Sequence, residues 1–285
     1  MMKTANWRKL GWENPVWELV RYYLSITTNA EREVFVKTLK AESAAKIGKV
    51  DLRLEGEVAA QLVEYLDFRR TLWEAADKML RTENEAKAYC KKKFNELPKT
   101  TQTKNQEHHQ SSKAMVLTTT RLSEAVCKEF GMPIEPNPQR RCVWVVDQQL
   151  HVTARNLDGA IPGLVDPFLV WEIKEYWGTT SGGSKMSDAV YECALVGREL
   201  RDFEKRTKMH VEHAVLLDGK AQWTSRKSDL LRFYDLYHQG LIDTLIVGRE
   251  VETAWQPFVK SVIEKHGPVP KASHIAKTRS SPRRG

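Results

Sequence analysis

Residues 167–177 read PFLVWEIKEYW. An apolar run of this length, rich in aromatic and branched residues and opened by a proline, predicts a strand buried on both faces. It nevertheless contains Glu172 and Lys174. Alternate side chains of a strand share a face, so Phe168, Val170, Glu172, Lys174 and Tyr176 point one way, and Leu169, Trp171, Ile173, Glu175 and Trp177 the other. The α-carbons of Glu172 and Lys174 then stand about 6.6 Å apart. An unpaired charge buried there costs several kcal/mol, so the two side chains must face water, pair, or hold a ligand.

Immediately upstream, residues 154–174, ARNLDGAIPGLVDPFLVWEIK, have the form of a β-hairpin whose connection is marked by Pro162, Gly163 and Pro167. A turn centred near Val165 puts Asp158 seven residues before it and Glu172 seven after. The two become cross-strand neighbours on one face, about 5 Å apart, close enough to share a divalent cation. Asp166 is the alternative acidic ligand. Continuing the same strand, it would lie about 20 Å from Glu172, so Asp158 fits better. Two acidic oxygens are the minimal hard-ligand set for Mg²⁺, which keeps several waters and takes substrate phosphate as a further ligand. Lys174 beside such an ion can hold or help activate an attacking water, and the chemistry expected is phosphodiester hydrolysis.

These residues carry a resemblance. Asp158, followed fourteen residues later by Glu172-Ile173-Lys174 on an apolar strand, with a helix before and a helix and strand after, resembles the PD-(D/E)xK nuclease superfamily of restriction-endonuclease-like folds. The resemblance covers roughly residues 114–250, and Leu157 stands where the family's motif has proline. It implies Asp158 and Glu172 as metal ligands, the backbone carbonyl of Ile173 as a third, and Lys174 as the catalytic lysine. Glu124, on the preceding helix, is similar to an acidic residue that some members add to the metal site. The implied activity is that of a Mg²⁺-dependent endodeoxyribonuclease, of type II restriction or phage-defence kind, leaving 5′-phosphate and 3′-hydroxyl ends on double-stranded DNA. One site per chain and two strands to cut imply a homodimer, and a cognate DNA methyltransferase is the corresponding partner.

Other (D/E)xK triplets lack this setting. Glu85-Ala86-Lys87 falls in a helical pattern, where residues two apart do not share a face. Asp218-Gly219-Lys220 ends a strand that is preceded by a helix and has no hairpin partner. Residues 178–186, GTTSGGSKM, fail the Walker pattern because Lys185 does not follow the last glycine directly and Met186 replaces the Ser/Thr that would meet Mg²⁺. Lys185, at a helix start, could instead hold a DNA phosphate. Arg198, Arg201, Lys205 and Lys208 follow one side of the next helix, either as a solvated face or as a track for the phosphate backbone. His210 and His213, three apart on a presumed strand, face opposite sides and are poor joint ligands. His108 and His109 lie in a polar segment and read as loop.

The rest of the chain frames this site. From Pro15 to about Phe94 apolar residues recur at three- and four-residue spacing, predicting a helical N-terminal region over 1–96. A polar linker or loop follows at 97–113, then a nuclease-like domain over 114–267 and a basic tail over 268–285. Within the domain the order helix, strands, helix, strand, helix, strand, helix predicts an α/β protein of the α+β type: a mixed central sheet flanked by helices.

Composition sets the limits. With 41% apolar residues the 285-residue chain can bury a sizeable core. The four cysteines form no CxxC pair, so neither a zinc ribbon nor a disulfide framework is written here. No run is long and apolar enough for a membrane span or a secretory signal, which points to a soluble, cytoplasmic protein. The 45 Lys+Arg against 37 Asp+Glu give +8, a balance that suits a polyanionic partner. The readings that compete with a DNA endonuclease are a non-catalytic DNA-binding protein on the same fold and a nuclease of RNA or branched DNA.

Overall fold

The computed structural model describes residues 7–100, 112–178 and 183–266. The expected basic tail and most of the expected polar linker, with His108 and His109, lie outside the described residues. The N-terminal part contains α1 (Val16–Ser25), α2 (Asn29–Glu42), the antiparallel pair β1 (Ala44–Ile47) and β2 (Val50–Arg53), α3 (Gly56–Met79) and α4 (Glu83–Phe94). Two local signals correct the purely helical expectation for this region. Gly48, at φ 61°, opens a two-residue turn between Ile47 and Val50. Thr82 and Glu85 form a reciprocal capping box that starts α4 afresh, so the long helical pattern is two helices.

The remainder is α5 (Ala114–Phe130), β3 (Val143–Val146), β4 (Gln149–Val152), β5 (Gly159–Ile161), β6 (Leu169–Glu175), α6 (Gly183–Thr207), β7 (Glu212–Asp218), α7 (Lys220–Ser225), α8 (Lys227–Gln239), β8 (Thr244–Val247) and α9 (Trp255–His266). α5 closes at Gly131 in the left-handed conformation. α6 starts four residues before Ser187, whose hydroxyl meets the Asp229 carboxylate at 3.3 Å.

The central sheet has the order β5-β6-β7-β8, with β5 antiparallel to β6 and the other pairs parallel. It is the mixed, helix-flanked sheet of an α+β protein. β3 and β4 form a separate two-stranded ribbon, which a parallel bridge from Val143 to Val165 ties to the β5–β6 connection. One sheet face, bearing Leu169, Trp171 and Leu216, packs on α5 and α9. The other packs on α6 and α8, through Val215 and Leu217 at one end and Val170 and Ala160 at the other. Glu172 and Lys174 lie on this second face, between two apolar clusters.

Gly159 fixes the β5–β6 register. It pairs with Trp171, and a Cβ on it would stand 1.8 Å from the indole Cε2. Only glycine lets the ring lie over β5.

Residues 7–68 share a core of their own, whereas Ala76 and Leu80 pack with the sheet. The change of core therefore falls inside α3, not at the polar segment 97–113. α4 packs on α5, with Ala86 and Cys90 buried against Ala114 and Trp177. Among the described residues no helix is long and apolar enough to cross a membrane.

Candidate functional site

Gly159 pairs with Trp171, Ala160 with Val170 and Ile161 with Leu169, and Asp158 is the residue just outside that ladder, at the end from which Glu172 continues β6. That is the register given by a turn centred at Val165. Asp158 lies just beyond the end of β5 and completes the ladder with its side chain: Oδ2 accepts a 2.7 Å hydrogen bond from Ile173 N–H, and the Asp158 N–H donates to Trp171 O at 3.0 Å. Its Oδ1 accepts from the Gln139 amide. Burial raises the Asp158 carboxyl above the ordinary carboxylate range, against the Ile173 N–H and Lys174, which act to lower it.

Glu172 and Lys174 resolve their burial by pairing. Lys174 Nζ lies 2.8 Å from Glu172 Oε2 and 2.9 Å from Glu192 Oε2 on α6. The Glu192 Oε1 in turn meets Arg155 Nη2 at 2.7 Å. Burial acts to raise the Glu172 carboxyl, yet Lys174 and His213 beside it hold it down to about 2. Burial acts against the charge of Lys174, but Cys193, Glu172 and Glu192 around it raise its pKa above the ordinary lysine value. Lys174 is thus a fixed cation, suited to hydrogen-bond a water or a phosphoryl oxygen rather than to remove a proton.

Glu192, Arg155 and Gln139 were not singled out by sequence reasoning, and His213 was weighed there only as a poor joint ligand with His210. The parallel register pairs His213 with Val170, two residues before Glu172 on β6. Its ring is fully buried, with Nδ1 3.0 Å from Leu241 O and Nε2 3.4 Å from Glu172 Oε1. A carbonyl accepts, so Nδ1 carries the proton and the Nε2 edge is aimed at Glu172. Among the described residues neither Nε2 nor Glu172 Oε1 has a partner within hydrogen-bond geometry.

The other expected site residues separate into those near this cluster and those elsewhere. Lys185, in the first turn of α6, stays on the site's side, with Nζ 5.1 Å from the centre of the Tyr176 ring. Asp166 sits in the hairpin turn at φ 52°, exposed, where it accepts from Val145 N–H at 3.3 Å, six residues before Glu172 and outside the cluster. Glu124 is on α5, which covers the sheet face opposite Glu172, and pairs with Arg121 at 2.7 Å. It is not part of the cluster. Arg201 is bound to Asp243 at 3.1 Å and to Val211 O at 2.8 Å, so it is a structural cation and not a free phosphate ligand. Arg198 lies over the Trp12 ring at 6.0 Å, and Lys205 pairs with Glu13 at 3.1 Å. The basic side of α6 is therefore where the N-terminal segment docks, not a phosphate track.

A second group, His210, Glu212 and Asp243, has ligand atoms within 4.8 Å of one another. Its members are already engaged: Asp243 with Arg8 at 2.7 Å, Glu212 with Lys265 at 2.8 Å, and His210 with Glu204 at 2.9 Å. This is an ion-pair network, and a cation there would have to displace its own neutralising partners.

The cluster at Asp158 suits Mg²⁺ better. It offers hard oxygen donors, one of which, Glu172 Oε1, is buried without a hydrogen bond, while Asp158 Oδ1 is bonded only to the amide of exposed Gln139. Asp158 and Glu172, with the Ile173 carbonyl between Glu172 and Lys174 in sequence, are the groups that would hold the ion.

Compared with curated proteins and with solved structures, the chain matches none. Residues 81–262, a span that runs from Arg81 through the whole central sheet and includes Asp158, Glu172, Lys174, Glu192 and His213, match the family described as a domain of unknown function, DUF7687, and the chain belongs to that family.

Proposed function

We propose that the protein is a Mg²⁺-dependent endodeoxyribonuclease that hydrolyses phosphodiester bonds of double-stranded DNA, of the type II restriction or phage-defence kind. The observation that carries this reading is the 2.7 Å bond from Ile173 N–H to the Asp158 carboxylate, which ties Asp158 to β6 between Glu172 and Lys174, with Lys174 as a buried, doubly paired cation. When bound, Mg²⁺ supplies a more acidic water and neutralises charge on a phosphoryl oxygen. The chain's own groups do the rest: Asp158 and Glu172 orient the ligand oxygens, Lys174 donates to the water or phosphate, and the apolar flanks of β6 keep all three fixed. Such an enzyme works in the cytoplasm, cuts both strands as a homodimer and is matched by a cognate DNA methyltransferase.

A second reading, a non-catalytic DNA-binding protein, draws on one observation. Both Asp158 oxygens already accept hydrogen bonds within the chain, from Ile173 N–H and Gln139. Cleavage of plasmid and phage DNA with and without Mg²⁺, for wild type, Asp158→Ala and Lys174→Ala, separates the two. The nuclease reading expects Mg²⁺-dependent cutting that falls at least about a hundredfold in each variant. Variants that cut like the wild type would refute the site; a wild type that binds DNA but cuts no duplex would favour the binding protein. Cutting confined to RNA or branched DNA would keep the site and change its substrate.

A further inference from the structure

Glu192 is gripped at each of its two oxygens by a different cation. Oε1 lies 2.7 Å from Arg155 Nη2 and Oε2 lies 2.9 Å from Lys174 Nζ. Two oxygens of a phosphodiester, which is also a compact anion, would fit between the same two groups.

The surroundings make Glu192 the exchangeable member. Its side chain is 26% exposed, so an anion from solvent can reach its place. Lys174 keeps Glu172 at 2.8 Å, so the departure of Glu192 does not leave a buried lysine unpaired. Among the described residues Arg155 makes no other ion pair, and its side chain is 43% exposed. It stands three residues before Asp158, in a connection pinned to α6 by the 3.0 Å bond from Ala154 N–H to Glu199. A guanidinium on a pinned connection beside the acidic pair is well placed to receive a phosphate bidentately.

We infer that Arg155 and Lys174 form a clamp for the DNA backbone, which Glu192 fills in the free protein and vacates for a phosphate. The inference rests on the nuclease reading for its substrate class and adds the residue that receives the backbone and the residue that competes with it. The exchange keeps both cations satisfied throughout. It also weakens the grip on DNA when no phosphate is correctly seated.

The test is fluorescence anisotropy of a short fluorescein-labelled DNA duplex with the full chain in EDTA, over a range of salt. Glu192→Gln should bind about tenfold tighter, since it frees two charge-assisted bonds for the phosphate. Arg155→Ala should bind about tenfold weaker and lower the slope of log affinity against log salt by about one. In the Arg155→Ala background the gain from Glu192→Gln should shrink to about threefold or less. Glu129→Gln loses the same unit of charge on α5, against Lys260, and should bind as wild type does. A Glu192→Gln no tighter than Glu129→Gln, or a gain that persists without Arg155, overturns the clamp. Should Glu192→Gln fail to fold, Arg155→Ala decides alone through its salt slope, because Arg155 is a half-exposed residue. Mg²⁺-dependent cutting by a wild type whose variants show none of these shifts refutes the clamp and leaves the nuclease reading standing. The expected shifts with no cutting do the reverse.

Discussion

Glu175 offers a sharp test of how the strand carrying the site is stabilised. It lies on the sheet face opposite Lys174, and its side chain is 2% exposed. Its Oε2 accepts from Met115 N–H at 2.9 Å and from the Trp177 indole at 3.2 Å, while Oε1 makes no hydrogen bond and has Lys113 Nζ only at 3.9 Å. Burial pushes this carboxyl up from 4.5 to about 7, with Lys113 and the Met115 N–H opposing. The folded chain therefore holds a proton that the unfolded chain has already released over this interval. Its stabilising effect is complete below pH 4.5 and is lost as pH rises through about 7. The difference corresponds to about 3 kcal/mol for a group this buried. Glu175→Gln keeps an acceptor for Met115 and Trp177 and never ionises. Urea unfolding followed by tryptophan fluorescence should show it within about 1 kcal/mol of wild type at pH 5 and more stable by about 3 kcal/mol at pH 8. A difference that stays constant from pH 5 to 8, or a variant less stable at pH 8, would refute the reasoning and show a charged Glu175 held by Lys113.

Two further outcomes follow from buried polar groups. His213→Asn keeps a donor for Leu241 O but cannot reach Glu172, whereas His213→Gln keeps the reach and loses the Leu241 bond; if His213 positions Glu172, calorimetric affinity for Mn²⁺ should fall about 10- to 100-fold in the first and largely survive in the second, and equal affinities would dismiss the role. Arg81, 1% exposed, binds Asp218 at 2.7 Å and Glu252 at 2.9 Å. Arg81→Ala should lose about 3–5 kcal/mol in chemical denaturation, recovered in part by adding Asp218→Asn, and a loss under about 1 kcal/mol would contradict the pairing.

What the sequence disclosed follows the reach of each interaction. The β5–β6 register was legible because a period of two, prolines and glycines fix a hairpin within twenty residues. The α3–α4 break and the β1–β2 turn were also local, written in Thr82-x-x-Glu85 and Gly48, but the surrounding helical periodicity masked them. His213 and Glu192 could not be read this way. One reaches Glu172 through a parallel register and the other reaches Lys174 through the docking angle of α6, and neither leaves a local pattern. The charges of Arg198 and Lys205 misled for a similar reason, because their partners Trp12 and Glu13 lie nearly two hundred residues away; Arg201 is taken up by Asp243.

α3 belongs to two cores. Its earlier turns fill the N-terminal core, Arg69 and Tyr65 bind Asp235 of α8 at 2.8 and 2.6 Å, and Ala76 packs with the sheet. The family match nevertheless begins at residue 81, one residue after Leu80, which the sheet's core also buries. A gene fusion at that point would bring an unrelated leader onto a domain with a hole where Leu80 and Ala76 belong and an uncompensated acid at Asp235. A domain that keeps its core filled and Asp235 paired therefore has to include the last three turns of α3, so the unit that folds is longer than the span of the family match.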